Sequence, residues 1–146
     1  MNVLTFSLLL PLIYIVNAQI EIPGACPANA VQSNFNISAY LGKWYEIKRY
    51  QTSFQQSGDC VTAQYALNSD NATISVVNQM TILPNKTAIL SINGTGRLQS
   101  TEPPIDGRLF VNFFGNESDY WVLNTDYNNY AVVWSCANFG NNSMRM

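Results

Sequence analysis

The chain alternates between apolar and polar residues in seven short runs, and turn-forming residues separate these runs. In residues 61–67 the odd positions hold valine, alanine, tyrosine and leucine, whereas Thr62 and Gln64 are polar. A period of two is typical of a β-strand with one face toward a core. The seven runs are residues 44–49, 61–67, 73–80, 86–98, 108–114, 120–125 and 130–137. Because no segment shows a strong helical period, the pattern predicts an all-β antiparallel fold, either a sandwich or a barrel.

The alternation also predicts which side chains share the inward face of the sheet. In three of the runs these positions are apolar residues, a tyrosine and one amide: Val61, Ala63, Tyr65 and Leu67; Ile74, Val76, Asn78 and Met80; Leu109, Val111 and Phe113. Asn112 is predicted to face outward. In the sixth run Tyr120 and Val122 share one face and Trp121 the other, and periodicity alone leaves open which face is the inner one. In a filled sandwich all of these side chains would be ordinary core.

The first residues of the chain have the pattern of a secretory signal peptide. Residues 6–16 form an apolar run, and Val16 and Ala18 stand at the −3 and −1 positions of a cleavage site. The run has 11 residues, whereas a membrane-spanning helix needs about 20. We therefore predict a signal peptide over residues 1–18, one domain over residues 19–146, and a secreted, extracellular protein without stable membrane insertion. The alternative is a buried apolar segment.

Six Asn-X-Ser/Thr sequences are consistent with secretion, because such sites accept N-glycans in secreted chains. Bulky hydrophilic glycans require a surface position, so each occupied site is predicted to be exposed. The six asparagines are Asn36, Asn71, Asn85, Asn93, Asn116 and Asn141.

Charge and composition exclude several classes of function. The net charge is −2 and charged residues make up 11% of the chain, so there is no basic stripe for nucleic acid and no polybasic patch for membranes. Histidine is absent. This removes the commonest general base and the commonest zinc ligand. The sequence therefore predicts neither a metal site nor an ordinary hydrolytic or redox enzyme.

Two short motifs, in order along the chain, resemble those of the lipocalin family. Gly42-Lys43-Trp44 opens the first alternating run, and Thr125-Asp126-Tyr127 precedes the seventh. In that family Gly-X-Trp opens the first strand, and Thr-Asp-Tyr occupies the turn between the sixth and seventh strands. The stretches from Gly24 to Cys136 are similar to the apolipoprotein D-like branch, which includes the insect Lazarillo and bilin-binding proteins. The resemblance implies an antiparallel up-and-down barrel wide enough for one small ligand.

The resemblance also implies roles for the motif residues and the cysteines. Trp44 would close one end of the barrel, with Gly42 allowing the backbone to pass beneath it. Thr125, Asp126 and Tyr127 would hold the turn at the same end.

The family pattern pairs Cys26 with Cys136 and leaves Cys60 over. An odd cysteine in a secreted chain indicates a disulfide-linked partner, a free thiol or a missing partner within the chain.

The main departure from the family pattern lies at the end of the sequence. The family has an eighth barrel strand and then a helix on the outside of the barrel, and the last ten residues hold no strand or helix of that kind. Seven of eight strands are therefore expected, without the C-terminal helix, in a chain that is incomplete at its C-terminus. Arg145 is not assigned the role of the family arginine that covers the tryptophan.

The resemblance implies a carrier of a small hydrophobic ligand such as a bilin, retinoid, fatty acid or sterol. No cofactor is predicted, apart from a bound bilin such as biliverdin. The predicted ligand-binding residues lie on the inward faces: Tyr65, Ala63, Leu67, Val76, Asn78, Val111, Phe113 and Tyr120. The alternatives are a surface-acting receptor ligand, adhesion factor or inhibitor that uses residues 49–58, and a thiol isomerase that uses Cys60. Cys60 is expected in the loop ahead of the second strand, which disfavours the isomerase.

Overall fold

The computed structural model describes residues 20–50, 58–83 and 88–146. The predicted signal peptide and the segment 51–57 lie outside the described residues. The elements are β1 (Ile20–Pro23), α1 (Ile37–Tyr40), β2 (Gly42–Tyr45), β3 (Gly58–Leu67), β4 (Thr73–Ile82), β5 (Ile89–Leu98), β6 (Arg108–Phe113), β7 (Asn116–Thr125), β8 (Ala131–Trp134), β9 (Cys136–Phe139) and β10 (Asn142–Arg145).

Seven strands, β2 to β8, form one antiparallel sheet in which each strand pairs with its neighbours along the chain. The sheet curls into part of a barrel wall, which confirms the predicted fold class. We call the end at which β2 begins and β3 ends the closed end, because the segment before β2 crosses it. The other end, at which β4 and β6 finish, is called the opposite end.

Several of the predicted strand boundaries were wrong. β3 begins at Gly58 and β7 at Asn116, ahead of the predicted starts at Val61 and Tyr120. The first run was predicted over residues 44–49, but β2 ends at Tyr45, after which the Arg49 side chain turns back to form an ion pair with Glu46. The seventh run was predicted over residues 130–137, but β8 ends at Trp134. Ser135 instead exchanges two backbone hydrogen bonds with Met146, and this pairing directs the chain into a second sheet.

The second sheet contains β1, β10 and β9 in that order. The sequence pattern did not predict the hairpin of β9 and β10, because β1, the other partner of β10, lies at the other end of the chain. This hairpin joins the second sheet and does not add an eighth strand to the large one. A disulfide between Cys26 and Cys136 links the segment after β1 to the start of β9, so the cysteine pairing that the resemblance implied is confirmed.

The segment between β1 and α1 is tied to the closed end by backbone hydrogen bonds. The Gln32 amide donates to the Val122 carbonyl at 2.9 Å, and the Gly107 amide donates to the Gln32 carbonyl at 2.8 Å. Farther along, the Phe35 amide donates to the Ile105 carbonyl at 2.9 Å. These bonds satisfy buried backbone groups and fix the path of the chain into the interior.

Gly94 in β5 allows a close approach between neighbouring strands. A Cβ atom at this position would lie 2.5 Å from the Asn112 carbonyl oxygen and 2.6 Å from the ring of Phe113. The Phe113 ring therefore covers the backbone of β5 only because residue 94 has no side chain.

We predict that Gly94→Ala lowers the free energy of unfolding by roughly 1–3 kcal/mol, since the ring or the strand must move to admit the methyl group. Urea denaturation measures this difference. Ser91→Ala, at an exposed position of the same strand, is the control and should leave the unfolding midpoint unchanged. Equal midpoints for the two variants would contradict the close approach at Gly94.

Candidate functional site

Buried side chains fill the interior of the curled sheet at the closed end. Tyr40, Leu109 and Val122 are at most 1% exposed. The full cluster consists of Phe35, Tyr40, Tyr65, Ile74, Val76, Leu109 and Val122. Because its members come from the segment before β2 and from four different strands, this closed-end cluster joins the sheet to the segment that crosses it.

A single helical turn places Tyr40 in this cluster. The side-chain oxygen of Asn36 accepts a hydrogen bond from the Ala39 amide at 3.1 Å, which caps the N-terminus of α1. Gly42 follows with φ of +110°, a left-handed conformation that favours glycine. The chain then enters β2, and the Trp44 indole donates to the Tyr40 carbonyl at 2.9 Å while its ring stacks on Tyr40. Half-buried Trp44 thus packs over a tyrosine that is itself the more deeply buried residue.

The turn between β7 and β8 is held by its own side chains. The Thr125 hydroxyl donates to the Tyr130 carbonyl at 2.7 Å and accepts from the Tyr127 amide at 2.9 Å. The Asp126 carboxylate accepts from the Asn129 side chain and from three backbone amides, and these bonds lower the pKa of Asp126. The Tyr127 hydroxyl accepts from the Asn36 amide at 3.1 Å, which joins the turn to the helix cap.

Three tyrosine hydroxyls meet in the interior, and we call this group the tyrosine floor. The Tyr120 hydroxyl lies 2.9 Å from that of Tyr65 and 3.1 Å from that of Tyr40. These residues come from β7, β3 and α1, so the two bonds connect opposite walls to the helix. Three hydroxyls supply three protons and use two in these bonds, which leaves one donor for another partner. Burial raises the pKa of all three phenols, because it disfavours the phenolate.

The register settles which face of the sixth run points inward. Tyr120 is opposite Leu109, which is buried in the closed-end cluster, so Tyr120 faces the interior. Trp121 is opposite Arg108, whose guanidinium lies 6.0 Å from the indole centroid on the outer face.

All eight predicted ligand-binding residues lie on the inner face, and seven of them lie away from the strand ends at the closed end. Tyr65 and Val76 belong to the closed-end cluster, and Ala63, Phe113 and Tyr120 pack against it. Cross-strand partners share a face of the sheet, so Val111, opposite Gly96, and Asn78, opposite Ala63, also face inward.

Leu67 is the exception among the predicted ligand-binding residues. It is the last residue of β3, at the closed end, and its side chain is 43% exposed. The alternating pattern assigned Leu67 to the correct face of the sheet. It did not show that Leu67 lies beyond the packed interior, because periodicity carries no information about where along a strand the interior ends. Leu67 is therefore not part of the candidate pocket.

The inner face on the opposite-end side of the tyrosine floor is apolar apart from three side chains, Asn78, Asn116 and Ser118. Its positions are Gly58, Val61, Ala63, Asn78, Met80, Ile82, Leu90, Ile92, Gly94, Val111, Phe113, Asn116 and Ser118. The side-chain oxygen of Asn78 is buried without a hydrogen-bond partner. A concave apolar surface with a few polar groups is the usual composition of a small-molecule site.

Cys60 lies within β3, not in a loop ahead of it as predicted. It occupies an irregularity in the β3–β4 register with φ of +52°, and its thiol is free and exposed. This position gives no support to an isomerase with a thiol inside the barrel. A disulfide-linked partner through Cys60 stays a prediction.

In residues 20–50, 58–83 and 88–146, no group of three or more Cys, Asp or Glu side chains is placed to hold a metal ion. Within the same ranges, no helix has the length and apolar character required to cross a membrane.

Sequence reasoning missed Phe35 and Tyr40, which are central to the closed-end cluster. One signal was present: Asn36 precedes a short segment in which it can act as an N-cap. A helix of four residues has no measurable apolar period, so only its cap marks it.

The fold and the site define a small β-barrel-type protein with an apolar interior. The family model described as "Lipocalin-like domain" matches residues 35–138, and the chain belongs to the lipocalin family. Lipocalins are in general proteins that bind and transport small hydrophobic molecules and are not enzymes.

Two relatives and one solved structure are similar to this chain. Apolipoprotein D of Cavia porcellus is 39% identical over 140 residues, which cover 94% of this chain and 71% of that protein. The Lazarillo protein of Schistocerca americana is 39% identical over 114 residues, which cover 76% of this chain and 51% of the relative. The structure of insecticyanin from the tobacco hornworm Manduca sexta matches with a TM-score of 0.68 at 23% identity, covering 87% of this chain and 70% of that one.

The tyrosine floor predicts a specific response to mutation and pH. Tyr120→Phe removes both hydroxyl–hydroxyl bonds, so the buried hydroxyls of Tyr40 and Tyr65 each lose one hydrogen-bond partner. We therefore expect it to lower the free energy of unfolding by about 2 kcal/mol. The pKa values of the three phenols are raised in the folded protein. The contribution of the floor to the free energy of unfolding is therefore fully present below the ordinary tyrosine pKa of about 10 and is lost as pH rises above it.

Urea denaturation at a series of pH values measures both effects. We expect a flat profile in the neutral range, a decline above about pH 10, and a shallower decline in Tyr120→Phe. Tyr45→Phe, which alters a hydroxyl on a 67% exposed side chain, is the control and should match the unmodified protein. Identical profiles for Tyr120→Phe and Tyr45→Phe would exclude the floor as a stabilising network.

Proposed function

We propose that this protein is a secreted carrier that binds one small hydrophobic molecule against the inner face of its curled sheet. The observation that carries the proposal is the apolar inner surface on the opposite-end side of the tyrosine floor, contributed by β3 to β7. Membership in the lipocalin family supports the same function. The ligand would enter from the opposite end, since the closed-end cluster fills the interior at the closed end.

The proposed ligand classes are bilins, retinoids, fatty acids and sterols, with biliverdin as a candidate bound pigment. All four present a large apolar area to a surface of aliphatic and aromatic side chains, and burial of that area contributes about 25 cal/mol per Å². Aromatic side chains such as Phe113 add ring contacts.

Titration with biliverdin, retinol and arachidonate tests the carrier function, with tryptophan fluorescence as the measurement. We expect saturable quenching by at least one ligand. Ala63→Phe places a ring on the inner face and should abolish or strongly weaken that binding by filling the space. Gln64→Phe adds the same ring to the next residue, which is exposed on the other face, and should bind like the unmodified protein.

Folding of each variant is checked by circular dichroism before titration. The absence of saturable binding by all three ligands in the folded protein would rule out the proposed function. Equal loss of binding in Ala63→Phe and Gln64→Phe would show that the ligand does not occupy the inner face.

We also propose that the chain is secreted after cleavage following Ala18 and is glycosylated. The described asparagines of the six sites, Asn36, Asn71, Asn93, Asn116 and Asn141, are all exposed, as an occupied site requires. Asn85 lies outside the described residues.

Expression in a secreting eukaryotic cell tests this part of the proposal. We expect mature protein in the medium with Gln19 as its first residue, and a loss of mass after removal of N-glycans by an amidase. Retention of the protein inside the cell with residues 1–18 intact would contradict it.

A further inference from the structure

We propose that the site prefers a neutral ligand whose buried end carries an O–H or N–H donor, and that the side-chain oxygen of Asn78 accepts that donor. This inference rests on the proposed carrier function and narrows its ligand class. It separates alcohols from carboxylates, two chemistries that an apolar surface alone does not distinguish.

The Asn78 side chain favours a ligand that carries a hydrogen-bond donor. Its side-chain oxygen is buried on the inner face and has no hydrogen-bond partner. Buried polar atoms are nearly always paired, and each unpaired one destabilises the folded protein. A ligand that donates to this oxygen supplies the missing bond, whereas a ligand without a donor leaves the oxygen unpaired. A site with an unpaired acceptor discriminates strongly between a ligand that carries a donor and an analogue that lacks one.

The inner face of the described strands disfavours a carboxylate ligand, because it carries no charge. Within the paired strands that the structure describes, none of the inward positions holds Lys, Arg, Asp or Glu. The charged groups next along the chain are Glu46, Lys48 and Arg49, all beyond the end of β2. Glu46 and Arg49 form an ion pair with each other, and Lys48 is exposed. A carboxylate bound inside would therefore lose its hydration without gaining a cation, and burial of an unpaired charge is strongly unfavourable.

The tyrosine floor does not replace the missing cation. Two of its three hydroxyl protons are used between Tyr40, Tyr65 and Tyr120, so at most one donor is left for a ligand. The same burial that raises the pKa of these phenols also penalises a carboxylate anion beside them. An alcohol suits the surface better, because it can donate to Asn78 and remains uncharged.

Three matched ligands test the preference: dodecan-1-ol, dodecanoate and methyl dodecyl ether, which share an alkyl chain and differ at one end. Calorimetric titration of the full chain at about pH 8 keeps the carboxylate ionised. We expect the alcohol to bind about tenfold more tightly than the ether, which cannot donate, and at least about tenfold more tightly than the carboxylate.

Variants at neighbouring positions of β4 test the role of Asn78. Asn78→Leu keeps the number and branching of the side-chain heavy atoms but removes the acceptor, so it should weaken alcohol binding by about tenfold and leave ether binding within about twofold. Gln79→Leu makes the same kind of change at an exposed position and should leave all three affinities unchanged. If Asn78→Leu does not fold, the ligand series on the unmodified protein still decides the question.

The outcomes separate this inference from the carrier function. Dodecanoate binding as tightly as the alcohol, or equal effects of Asn78→Leu on alcohol and ether, would overturn the preference and leave the carrier function intact. The preference also fails if none of the three binds while biliverdin or arachidonate does. Failure of every ligand tested would instead overturn the carrier function itself.

Discussion

The Tyr120 hydroxyl is the point on which the interior depends, because it joins side chains from three separate parts of the chain. Through Tyr65 it connects β7 to β3, and through Tyr40 it connects both strands to the helix before the sheet. The rings of Tyr40 and Tyr65 also stack, with centroids 5.7 Å apart. The tyrosine floor therefore divides the interior into a packed part at the closed end and an apolar surface beyond it.

The floor can exist only if the segment before β2 is held across the closed end. Three features hold it: the backbone bonds of Gln32 and Phe35, the contact of Asn36 with Tyr127, and the disulfide from Cys26 to Cys136. The disulfide joins positions separated by 110 residues, and closing so long a loop stabilises the fold by about 4 to 5 kcal/mol on the chain-entropy model. The family motifs act at the same end, since Trp44 covers Tyr40 and Thr125 and Asp126 shape the turn that carries Tyr127.

The seven strands and most of the inner face could be predicted from the sequence, because alternation is a local property of each run. What could not be predicted depends on partners that are distant along the chain. The inward direction of Tyr120 follows from its pairing with Leu109, and the β9–β10 hairpin depends on β1. Tyr40 sits on a helix too short to show a period, and the exposure of Leu67 reflects where the interior ends. Asn78 was predicted to face inward, but only the structure shows its oxygen without a partner.

The central claim is that a neutral ligand lies on the inner face beyond the tyrosine floor and donates to Asn78. A crystal structure of the protein with dodecan-1-ol tests it most directly. The account predicts the alkyl chain against Ala63 and Phe113, with the hydroxyl oxygen about 3 Å from the side-chain oxygen of Asn78. A ligand bound on the outer face, or one inside with its hydroxyl directed away from Asn78, would contradict the account.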